Sequence, residues 1–79
     1  METLKLYCIG DEDTARGFRL AGVEGRVVTD AAGAAAALDE AAARPDCGVI
    51  IITKAAAALA RAKVDEIKLE RPRPLIVEI

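Results

Sequence analysis

Two rhythms of apolar and polar positions alternate along the chain. "LKLYCI" (Leu4–Ile9) is a short apolar run stopped by Gly10, and it reads as a strand. Asp11 to Asp13 then offer capping oxygens to a short helix over "TARGFRLA" (Thr14–Ala21), which would turn Ala15, Phe18 and Ala21 inward. Gly22 supplies the left-handed exit on which such a helix commonly ends. "GRVVT" (Gly25–Thr29) is a second strand, and Asp30 caps the helical stretch "AAGAAAALDEAAAR", whose slim apolar face is Ala34, Leu38, Ala41 and Ala42. Pro45 ends it. "CGVIIIT" (Cys47–Thr53) is apolar at every position from Val49 to Ile52, the pattern of a strand buried on both faces. "KAAAALARAKVDEIK" (Lys54–Lys68) predicts a third helix with Ala56, Leu59, Ala60, Val64 and Ile67 inward. After the turn "ERPRP", "LIVEI" (Leu75–Ile79) is a last strand.

Four strands alternating with three helices predict an α/β fold with a small parallel sheet and helices on both faces, a receiver-like three-layer domain. The alanine tracts around Leu38 and Leu59 read as ordinary helices rather than linkers, because they sit within regular α/β units. At 79 residues the chain has room for one domain, expected to span 1–79. With 53% hydrophobic and 30% charged residues it falls in the folded globular class. One Phe, one Tyr and no Trp leave the core to Ile, Val and Leu.

A net charge of −2 and a pI near 5.0 argue against nucleic acid as a partner, since no basic stripe interleaved with aromatics is present to neutralise phosphates or stack bases. Met1 is followed by Glu2 rather than a basic stretch, so no leader is expected, and the apolar runs are too short to span a bilayer. A cytoplasmic location without membrane insertion is the expectation. Cys8 and Cys47 fall near opposite ends of neighbouring strands, roughly 15 Å apart, beyond the reach of a disulfide. The chain has no histidine, which leaves a structural zinc site almost no ligands; Cys8 reads as buried filler.

The chemically suggestive stretch is "IGDEDT". In open α/β sheets ligands gather at the carboxyl ends of the strands, where the strand order reverses. There Asp11, Glu12 and Asp13 would face Thr53 and Lys54 across the rim. A phosphate cradle needs several glycines and would be repelled by three carboxylates. A phosphoacceptor of the receiver type needs an aspartate nucleophile at the end of the third strand, where Thr53 stands. A small metal-dependent enzyme using Asp11 and Asp13 would have no companion His or Cys. The remaining reading makes the three acids caps of the first helix, favoured by its positive end and otherwise solvated.

Three separated blocks, "IGDEDTARGFRLAGV", "GVIIIT" and "RPRPLIVEI", closely resemble the F subunit of the V-type/A-type ATPases, the archaeal and bacterial rotary ATP synthases. The family motifs Ile-Gly-Asp, Asp-Thr and Gly-Phe-Arg-Leu-Ala-Gly stand here at Ile9–Asp11, Asp13–Thr14 and Gly17–Gly22. The family's "IIIT" strand and its Arg-Pro-x-Pro-x-Ile-Val-Glu-Ile ending match Ile50–Thr53 and Arg71–Ile79. The resemblance implies a sheet order of 2-1-3-4 and a non-catalytic component of the central rotor stalk. Such a component needs no cofactor and docks on the coiled-coil D subunit, with the C subunit and the A/B catalytic ring as further candidate partners. It would couple ATP synthesis or hydrolysis to proton or sodium transport from the soluble sector, peripheral to the membrane. Relatives usually continue into a C-terminal helical tail, which the 79 residues do not include. The rival from another class is a receiver-like signalling or binding domain without a phosphoacceptor.

Candidate contact residues for a protein partner are Arg16, Phe18 and Arg19 on the first helix, with Arg71 and Arg73 around the prolines before the last strand. Phe18 has core burial as its ordinary alternative. The arginines have a solvated face, although arginine is enriched at interfaces.

Overall fold

The computed structural model describes residues 3–79; Met1 and Glu2, where the absence of a leader was read, lie outside them. Its elements are β1 (Lys5–Gly10), α1 (Glu12–Leu20), β2 (Glu24–Val27), α2 (Ala31–Ala43), β3 (Cys47–Ile52), α3 (Lys54–Leu59), α4 (Arg61–Glu70) and β4 (Leu75–Glu78). The four strands form one sheet in the order β2-β1-β3-β4, all neighbours parallel. The α/β class and the strand order are therefore those expected.

Topology decides which face each helix takes. A right-handed crossover places its helix on a face set by the direction in which the chain moves across the sheet. The step β1 to β2 runs one way; the steps β2 to β3 and β3 to β4 run the other. Accordingly α1 alone packs on one face, over β1 and β2, while α2, α3 and α4 share the opposite face. That shared face holds the main core: Tyr7, Ile9, Ile50 and Ile52 from the strands meet Ala37, Leu38, Ala41, Ala56, Val64 and Ile67 from the helices. Alanine lets the helix backbones come close to the sheet, so the core gains density rather than volume.

Three expectations need correction. The third helix is interrupted at Ala60 (φ −139°, ψ 46°) and becomes α3 and α4. The bend lets α3 lie against β1 while α4 lies against β4. It also changes the helical phase: Ala57 is buried, whereas Leu59, expected inward, is 39% exposed. In α1, Ala15 is fully buried, Phe18 is half-buried, and Ala21, expected inward, is exposed just past the helix end. Finally, β3 is not buried on both sides. Ile50 and Ile52 are covered, but Val49 and Ile51 are only partly so, because no helix lies over that half of the second face.

Local signals account for the helix ends. Asp11, Asp30 and Thr53 are N-caps, accepting hydrogen bonds from the backbone N–H of Thr14 (2.7 Å), Gly33 (2.6 Å) and Ala56 (3.1 Å). At the end of α1, Gly22 has φ +86°, and the N–H groups of Gly22 and Val23 donate to the carbonyls of Arg19 and Phe18. This paired arrangement satisfies two otherwise orphaned carbonyls and needs a residue at ease with positive φ.

Candidate functional site

The carboxyl-end rim brings together what the sequence placed there. Gly10 ends β1 so close to Thr53 that a β-carbon at position 10 would stand 2.7 Å from the Thr53 methyl. The Thr53 N–H donates to Ile9 O (3.1 Å), the Lys54 N–H to Ile79 O (2.9 Å), and the Ile79 N–H to Ile52 O (2.9 Å). Backbone hydrogen bonds thus close the rim, and the capping oxygens of Asp11 and Thr53 are already engaged with their own helices. Donation from the Thr14 backbone N–H holds the Asp11 carboxyl below its usual range, so it stays ionised and is a poor proton donor. Glu12 pairs with Arg16 one turn on (3.2 Å), and Asp13 faces solvent. Among the described residues no group of three or more Asp, Glu, Cys or His side chains could hold a metal ion.

The structure divides the candidate contact residues. Arg16, Phe18 and Arg19 lie on α1. Arg71 follows α4 on the opposite face, where its guanidinium donates to Ala42 O (3.0 Å) at the end of α2. Arg71 therefore fastens two helices together and does not share a surface with the α1 residues.

A feature that sequence reasoning missed lies at the amino end of the strands. A depression of about 800 Å³ is lined by Leu6, Tyr7, Arg19, Val23 and Arg44, among others. The Arg44 guanidinium sits 5.4 Å from the centroid of the Tyr7 ring and pairs with Glu24 and Asp46. Strand alternation turns Tyr7 inward, but no local pattern announces a partner 37 positions away in sequence. Burial pushes the Tyr7 hydroxyl above its ordinary pKa, and it does the same to the thiols of Cys8 and Cys47. All three remain protonated at neutral pH, which is the opposite of an activated nucleophile.

Fold and rim together define a receiver-like α/β domain whose acidic corner is occupied with helix capping. A family model, that of the ATP synthase (F/14-kDa) subunit, matches residues 6–79, and the chain belongs to this family. Among solved structures it is similar to the F subunit of the V-type ATP synthase from Archaeoglobus fulgidus, with a TM-score of 0.82 and 26% sequence identity, covering 99% of each chain. A search of curated proteins returned no significant match. No helix among the described residues is long and apolar enough to cross a membrane.

Proposed function

We propose that the chain is a non-catalytic central-stalk component of a rotary ATPase, which docks on the coiled-coil D subunit and turns with it. The observation that carries this reading is the end-to-end agreement in fold with the F subunit of a V-type ATP synthase, within a family match covering residues 6–79. The arrangement of the rim supports it: the groups that a receiver-like enzyme would use are engaged in capping, and Thr53 stands where the phosphoacceptor would. In this role the domain works as a rigid body, and ATP turnover and proton or sodium movement take place in other parts of the soluble and membrane sectors. The C subunit and the A/B ring are further candidate contacts, and Arg16, Phe18, Arg19, Arg71 and Arg73 remain candidate contact positions. The test is co-purification with the cognate D subunit followed by calorimetry. One-to-one binding is expected; absence of binding would return the receiver-like reading to first place.

A further inference from the structure

Strand β2 starts late, and the sheet is notched where it is missing. Its first residue, Glu24, pairs with Tyr7, so Lys5 and Leu6 of β1 have no strand on that side. The depression of about 800 Å³ opens at this notch, with Val23 lining it from the turn between α1 and β2. Its volume lies in the range of small-molecule sites, about 300–1,000 Å³.

The charges around it do not balance. Lys5, Arg19 and Arg44 line the depression together with Glu24 and Asp46. Both carboxylates are engaged: Glu24 pairs with Arg44, and Asp46 with Arg44 and, at 3.6 Å, with Lys5. Arg19 makes no ion pair among the described residues. One positive charge is left over, which suits a singly charged anion. A phosphate dianion would bring more charge than Arg19 can match and would meet the two carboxylates nearby.

Tyr7 is the second sign of a ligand. It is only 6% exposed, yet its hydroxyl makes no hydrogen bond within the described residues. No side-chain oxygen among them is sealed off without a partner, so the hydroxyl opens into the depression that Tyr7 lines. Glu40 and Glu24 lie close enough to act on it electrostatically, which fits it for a neutral polar group rather than for the anion itself. The Arg44 guanidinium lies over the Tyr7 ring, and its side chain is 36% exposed, leaving cationic surface on which a second ring could stack. Leu6 and Val23 add apolar wall.

We infer that this notch binds a small aromatic carboxylate, with its carboxylate on the Arg19 guanidinium, its ring against Arg44, Leu6 and Val23, and a hydroxyl or similar neutral group at the Tyr7 hydroxyl. The site goes beyond the stalk reading and does not depend on it.

The probe is 4-hydroxyphenylacetate, titrated into the isotope-labelled chain and followed through backbone amide shifts by NMR. Saturable shifts at Leu6, Val23 and Arg44 are expected, with a dissociation constant of about 1 mM, ordinary for a ligand of about eleven heavy atoms. Arg19→Gln should weaken binding at least about fivefold, and so should replacing the probe by its neutral amide. Arg16→Gln, on the same helix and paired with Glu12, should bind like the parent chain. Phenylacetate, which lacks the hydroxyl, should bind more weakly than the probe, and Tyr7→Phe should erase that difference. Should Tyr7→Phe lose its fold, the two probes compared on the unaltered chain carry this arm. The absence of saturable shifts at the notch, equal binding of acid and amide, binding indifferent to Arg19→Gln, or equal binding of the two acids to the unaltered chain would each overturn the assignment.

Discussion

At the scale of single residues, Thr53 shows how one side chain can exclude a chemistry and perform a structural task at once. Its hydroxyl accepts from Ala56 N–H and its methyl fills the space left by Gly10. Thr53→Ala should therefore destabilise the domain by about 1 kcal/mol through loss of the cap, seen as a lower urea midpoint with unchanged slope. An unchanged midpoint would show the cap to be idle. The capping roles of Asp11 and Asp30 were legible in the sequence because a cap is a local arrangement, with donor and acceptor three positions apart, whereas Thr53 was read only as a rim residue and its cap came from the structure. The roles of Arg71 and Arg44 were not. Each is defined by a group far away in sequence, Ala42 O for Arg71, which had been read as a contact candidate, and the Tyr7 ring for Arg44, which the sequence did not single out.

At the scale of elements, β4 is held by more than its ladder to β3. Glu78 receives a two-pronged hydrogen bond from Arg61 (2.8 and 2.9 Å) and a further one from Lys68 (3.3 Å), which tie the strand to α4. These donors lower its pKa from 4.5 to about 2. A carboxyl depressed on folding stabilises the fold above its unfolded value, and that contribution fades as the pH falls through the folded one. Stability should thus decline between about pH 4.5 and pH 2. Glu78→Gln should flatten that part of the profile in thermal melts at stepped pH; an unaltered slope would place the acid sensitivity elsewhere. Strand and helix identities were legible from apolar rhythm, but the break at Ala60 was not. Alanine has the highest helix propensity, so nothing local marks the bend. The interruption is imposed by packing, since a straight helix could not serve both β1 and β4.

At the scale of the whole molecule, the asymmetry follows from connectivity. One leftward and two rightward steps across four strands put one helix on one face and three on the other. The apolar run of β3 was read as burial on both sides, and the composition of that strand does suit two covers, of which the fold supplies one and a half. The same asymmetry separates the two thiols. Cys8 is fully buried on the side of α1, while Cys47 belongs to the larger core with Tyr7 and α2. They form a pair of built-in clocks, one for each layer. A raised pKa keeps each thiol slow to react until its cover lifts, so the rate at which a maleimide reagent finds it reports the opening of that layer. Because a single short helix guards Cys8, it should be modified faster than Cys47 under native conditions, as mass spectrometry of peptides over time would show. Equal rates would mean that the two layers come apart together.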